Sequence, residues 1–152
     1  MKKIVVAAVL LLAGCQTQPG TVSDVHTGVQ AKHSGMHQVY NGLFDSLWVT
    51  AISGTRGGNS KYGVGVRYLS TGQQWAFFQS AWSFGKQLRF KTTNSQVAGC
   101  GGGNCSKIEE GVVELTRAEF ESAAANGLEF KLIGRNKELT VKVPAKVFKD
   151  AM

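Results

Sequence analysis

Cys100 and Cys105 bracket Gly101-Gly102-Gly103-Asn104, and no other residues of the chain are so well spaced to form a bond. In an exported protein such a pair reads first as a structural disulfide. Glycine lets the backbone reverse tightly enough for the sulfurs to meet. Metal or redox use and free thiols are the competing readings. Four residues lie between these cysteines, where a zinc-knuckle or thioredoxin-like pair has two. His26, His33 and His37 are the only histidines. In a helix His33 and His37 would share a face. Two imidazoles with no nearby carboxylate or cysteine still fall short of a zinc site. The plainer reading is solvated histidines in a polar segment, and neither a metal nor a cofactor is expected.

Nucleophilic and phosphate-handling motifs are absent. No G-x-S-x-G elbow occurs, and Gly63-Val64-Gly65 runs on into Val66-Arg67-Tyr68 as a strand, not into a phosphate-cradling helix. Asp24, Asp45 and Asp150 are far apart, and Glu109 and Glu110 fall on opposite faces of one strand, so no carboxylate pair stands out. No catalytic residue is assigned. The densest feature is aromatic: Trp48, Tyr62, Tyr68, Trp75, Phe77, Phe78, Trp82 and Phe84. Arg67, Trp75, Trp82, Lys86 and Arg89 are the candidate binding residues for a glycan or protein partner. The competing reading is that these aromatics are simply the core of a small β domain.

The elements that would carry these residues are mostly strands. Val49–Ser53 reads as strand, Thr55-Arg56-Gly57-Gly58-Asn59 as a turn, and Tyr62 to Leu69 alternates with period two. A strand starts at Trp75-Ala76-Phe77-Phe78, and further strands run through Leu88–Lys91 and Ile108–Leu115. Thr116 and Glu119 form a capping box. Phe120, Ala123 and Ala124 share one helical face, and Gly127 marks the stop. Leu128–Leu132 and Leu139, Val141, Val143 predict a hairpin, and Pro144 opens a last short helix with Val147 and Phe148. The expected fold is mainly β (α+β): a compact antiparallel β-sandwich or barrel-like domain over residues 40–152. It carries one helix near 117–126 and a short C-terminal helix.

The first residues are of a different kind. Met1-Lys2-Lys3 is positive, Ile4–Ala13 has no polar residue, and Gly14-Cys15 follows. Charged start, short apolar run and small residues make the plan of a secretory signal peptide. The run is too short for a spanning helix, which needs roughly 20 residues. Leu12-Ala13-Gly14-Cys15 resembles the bacterial lipobox. That resemblance implies a leader over 1–14, diacylglyceryl attachment to the Cys15 thiol, and two or three acyl chains on it. Single chains hold a protein only marginally, so this number gives stable attachment. Gln16 after the cysteine implies the outer membrane, with the domain facing the periplasm. Residues 15–39 are rich in Thr, Gln, Ser and Gly and lack apolar periodicity, the composition of a lipidated flexible tether.

Trp75…Ala81-Trp82…Gly85…Leu88, the paired cysteines, Val113-Glu114-Leu115, Gly127-Leu128 and Val143-Pro144 resemble small uncharacterised periplasmic lipoproteins of Gram-negative bacteria. The resemblance supplies no activity. The formal charge is +7, falling to +5 without Lys2 and Lys3. That balance suits lipid head groups or cell-wall polymers and is too scattered for nucleic acid. The leading expectation is a non-enzymatic, outer-membrane-anchored domain, a binding or accessory component of a cell-envelope assembly. The alternatives are an envelope enzyme or metal-binding protein with a dispersed site, and a direct binder of lipopolysaccharide or peptidoglycan.

Overall fold

The computed structural model describes residues 18–152, so the leader and Cys15 lie outside the described residues. The chain runs β1 (Gly20–Asp24), β2 (Val29–His33), β3 (His37–Asn41), β4 (Asp45–Arg56), β5 (Asn59–Thr71), β6 (Phe78–Ser83), β7 (Lys86–Gly101), β8 (Asn104–Leu115), α1 (Arg117–Asn126), β9 (Leu128–Gly134), β10 (Glu138–Val143) and α2 (Ala145–Lys149). The strands form one ten-stranded sheet in the order β1-β2-β4-β5-β8-β7-β6-β9-β10, with β3 beside β4. Every pairing is antiparallel. The sheet curls into a half-barrel, so the β-rich α+β class is as expected, and of the two architectures expected it is the barrel-like one.

Alternation decides which side is filled. Leu47, Val49 and Ala51 of β4, Val64, Val66 and Tyr68 of β5, and Val113 and Leu115 of β8 all point into the concave side and are buried. Phe130, Leu132, Val141 and Val143 from the β9–β10 hairpin join them. The helices complete this core. Thr116 accepts the Glu119 backbone N–H while the Glu119 side chain accepts from the Thr116 N–H, the expected capping box. Phe120 packs against Tyr62 and edge-on against Phe148 of α2, with ring centroids 5.4 and 5.3 Å apart. The β4–β5 hairpin turns on Gly57 and Gly58 at φ of 55° and 81°, a left-handed pair that favours glycine.

The tether expected over 15–39 needs correcting. From Gly20 on it is sheet: β1 pairs β2, β2 pairs the far half of β4, and β3 pairs the near half. Ser34, between β2 and β3, is fully buried, donates to the Gly35 carbonyl and accepts the Ala51 N–H at 2.9 Å. These strands are polar because their outer side meets water, and the missing apolar period reflects shallow burial. His33 and His37 sit on separate strands of this region, half-buried and hydrogen-bonded, instead of on a helical face in solvent. His33 Nδ1 accepts the Gly35 N–H at 3.1 Å, and His37 Nε2 lies 3.0 Å from the Ser34 carbonyl. The strand expected from Trp75 begins only at Phe78.

Cys100 and Cys105 are disulfide-bonded across the end of the β7–β8 hairpin. Among the described residues no helix is long and apolar enough to cross a membrane, which leaves lipid anchoring untouched.

Candidate functional site

Two regions at opposite ends of the half-barrel carry the exposed chemistry. The first is a trough of about 1040 Å³ where the end of β4, the start of β5, the end of β8 and the start of β7 meet the first turn of α1. Across the outer face the register aligns His33, Ile52, Gly63, Glu114 and Arg89 on successive strands. Gly63 leaves the middle strand bare of a side chain there. A Cβ at Gly63 would lie 2.8 Å from the Val113 carbonyl oxygen, so the backbone itself forms the floor. Ile52, Ala31 and Val112 make the lining apolar.

Its rim is cationic. Arg56, Lys61, Lys86, Arg89 and Arg117 line it against Glu114 and Glu119. Lys86 is paired with Glu119, and Arg117 with Glu121 at 2.7 Å. Among the described residues no carboxylate within ion-pair distance neutralises Arg56, Lys61 or Arg89. The Lys86 ammonium, then the Thr116 backbone N–H, pull the Glu119 carboxyl down to about 2. The acid is thus held ionised by α1 and Lys86, and the other three cations stay available to a ligand.

The second region is the tip where β3–β4, β5–β6 and β9–β10 turn. Glu109 of β8 is 5% exposed, and its two oxygens accept the backbone N–H groups of Ala76 and Phe77, each at 2.7 Å. Those bonds pin the loop 72–77 over the mouth of the half-barrel. Asn136 adds bonds to the Trp75 and Ala76 carbonyls, and the Arg135 N–H donates to the Phe77 carbonyl. Phe77 is held at φ 51°, a conformation that side chains other than glycine rarely adopt. Trp75 stacks on Phe77 at 6.1 Å, with Lys107 over the Trp75 ring and Arg135 over the Phe77 ring.

Asp45 closes the sheet beside this tip. Its side chain is 7% exposed and takes Tyr68 Oη at 2.6 Å, Tyr40 Oη at 3.2 Å, and the Lys137 ammonium. Burial pushes the Asp45 carboxyl up, but Lys137, Tyr68 and Tyr40 together outweigh it and leave it below the ordinary carboxylate range. Burial, and then Asp45, drive the Tyr68 phenol upward. Each of the three partners holds the carboxylate in place, which makes this a clasp joining β3, β4, β5 and the β9–β10 turn.

The expected binding residues separate. Lys86 and Arg89 line the trough. Trp75 belongs to the tip. Arg67 lies on the outer face between Trp48 and Glu110, ion-paired to Glu110 at 2.6 Å. Trp82 stands half-exposed between Gln87 and Lys131. Sequence reasoning assigns no role to Arg56 and Lys61, which sit in and beside a turn, nor to Lys107 and Arg135. It names Phe77 only as one of the aromatics and Glu109 only as one acid of a strand, because these groups meet through long-range contacts. Among the described residues no three His, Cys, Asp or Glu side chains converge as metal ligands. Comparison with known proteins adds no relative: no family model, curated protein or solved structure matches this chain.

Proposed function

We propose that this protein is a lipid-anchored, non-enzymatic domain of the bacterial outer membrane that holds an anionic envelope component in the cation-rimmed trough. The trough itself carries this reading: an apolar floor about five strands wide beneath cations without carboxylate partners. Apolar floor with cationic rim favours an amphipathic anion, such as an acylated phosphosugar or an acidic stretch of an envelope partner, over a neutral sugar. The lipobox supports the address. The dispersal of titratable groups supports binding over catalysis, since the buried carboxylates Asp45 and Glu109 are occupied by structural bonds.

Titration of the protein with purified lipopolysaccharide and with peptidoglycan fragments tests it. Binding should weaken with salt and fall at least tenfold in Lys61→Glu/Arg89→Glu, about the loss of two exposed charge contacts. Binding that is unaffected by both substitutions would remove the trough from the reading.

A further inference from the structure

We infer that the tip of the half-barrel bearing Leu43, Phe44, Trp75 and Phe77 seats on an anionic phospholipid surface, with Lys107 and Arg135 as its charge contacts. This rests on the lipid anchor proposed above, and it commits to the bilayer as occupant for three reasons.

The first is reach. Gly20 is already in the sheet, so four residues lie between Cys15 and the first strand, five steps along the chain. Fully extended, those five steps span about 17 Å. An acylated Cys15 therefore keeps the domain against the bilayer, with no tether to lift it. Gly20 is level with His33 and Ile52, and β1 runs from there towards the trough end. The chain before Gly20 thus approaches from the tip side. Asp45, at the tip, is seven residues from Ile52 along β4, about 23 Å at 3.3 Å per residue.

The second is chemistry. Leu43 is 88% exposed, Phe44 56% and Phe77 41%, an unusual set of large apolar side chains for adjoining turns at one end of a sheet. The Thr71 N–H donates to the Phe44 carbonyl, which ties the Leu43-Phe44 turn to the start of the aromatic loop. Lys107 and Arg135 stand over the rings of Trp75 and Phe77. Aromatics flanked by cations match the boundary between acyl chains and anionic head groups.

The third is construction. A buried carboxylate and the Asn136 bonds hold Phe77 in a left-handed conformation with its ring half out of the protein. Strain maintained at an exposed aromatic fits a presented residue. Phe84, beside the trough, shares the left-handed backbone and the exposure, so the choice of the tip rests on reach and chemistry.

The test uses the lipidated protein in phosphatidylglycerol–phosphatidylcholine vesicles, with Trp48→Phe and Trp82→Phe so that Trp75 is the remaining indole. Phospholipid brominated near the head group should quench Trp75. Leu43→Ser/Phe44→Ser, on an exposed turn, and Lys107→Glu/Arg135→Glu should each reduce that quenching. In unlipidated protein, vesicle affinity should fall at least roughly fivefold per reversed cation, since about 1 kcal/mol is lost with each Lys or Arg and the introduced carboxylate is repelled by the anionic surface. An unquenched Trp75 in protein that floats with the vesicles overturns the seating and leaves the anchor standing. Retention on peptidoglycan through the same residues, with Trp75 unquenched, assigns the tip to a polymer and overturns it too. If mass spectrometry finds no acyl chain on Cys15, the anchor fails by itself. Quenching by added anionic vesicles then still decides the tip.

Discussion

Glu109→Gln isolates the bond that builds the tip. In the native protein each carboxylate oxygen takes one backbone N–H, at 2.7 Å, from Ala76 and Phe77. Hydrogen bonds to charged groups contribute about 1.5–3 kcal/mol each. A glutamine keeps one oxygen and turns its NH₂ towards the second N–H, which leaves a buried donor facing a donor at a cost of about 1–3 kcal/mol. Relief of the buried charge offsets part of this, so the net destabilisation should be about 2 kcal/mol. For a domain of this size that lowers Tm by about 8 °C. Thermal melting by circular dichroism measures the total. Amide hydrogen exchange at Ala76 and Phe77 locates it, and both amides should exchange faster before the rest of the sheet opens. A loss below about 0.5 kcal/mol, or unchanged protection at those two amides, would show that the loop is held by something other than Glu109.

Phe77→Gly should be more stable than Phe77→Ala by about 1 kcal/mol, since both lose the ring but only glycine relieves the left-handed backbone; equal melting would mean no strain at φ 51°. Cys100→Ser/Cys105→Ser should lower global stability by at most about 2 kcal/mol, the loop-closure figure for so short a ring. Because that hairpin end is mostly exposed, the loss should appear first as local fraying of Gly99–Ser106, and fraying no greater than in the bonded protein would contradict this. With its carboxyl held at about 2 against an ordinary 4.5, Glu119 contributes stability above pH 4.5 that is lost as pH falls towards 2. Glu119→Gln should therefore be less stable than native at neutral pH, with the gap narrowing over that window; parallel stability curves would refute a contribution from the Glu119 charge bonded to Lys86 and to the Thr116 N–H. Cys15→Ser should abolish incorporation of a labelled fatty acid, and equal labelling of the variant would end the lipobox reading.

The sequence was informative wherever burial was deep on one face. β5, β8 and the β9–β10 hairpin alternate because one side of each meets the core, and α1 announces itself through Thr116, Glu119 and Gly127. β1 to β3 gave no such signal. Their residues are at most half-buried, apart from the Ser34-Gly35 link, so a stretch such as Gly20-Thr21-Val22-Ser23-Asp24 has the composition of a linker while pairing along its whole length. Such strands are specified by backbone hydrogen bonds, which leave no mark on residue type. Cutting the domain at residue 40 would remove both partners on that side of β4 and expose the Ser34 site, so a fragment starting at Gly20 is the smallest that keeps the sheet intact.

The candidate surfaces were legible in proportion to how local they are. Lys86 and Arg89 were named from their place beside the aromatics, and both line one trough. Arg56 and Lys61 were passed over because a turn-forming context hides that the β4–β5 hairpin brings them alongside. Glu109 illustrates the harder limit. Alternation already puts it on the face opposite Glu110, but what each face meets is not in the sequence: Glu110 pairs with Arg67 outside, and Glu109 lies beneath a loop 32 positions away. Only the closed sheet supplies that loop. The same closure separates the two ends of the molecule: Gly63 in the trough and Thr71 at the tip lie eight residues apart on β5, about 26 Å along the strand. A bilayer meeting the tip therefore leaves Arg56, Lys61 and Arg89 facing away from the membrane, open to a ligand in the compartment beyond. A domain seated on its opposite end would bury those cations among its own lipid head groups, and vesicles would then compete with lipopolysaccharide or peptidoglycan fragments for the trough. Competition by vesicles would reverse the orientation; simultaneous binding of both supports it.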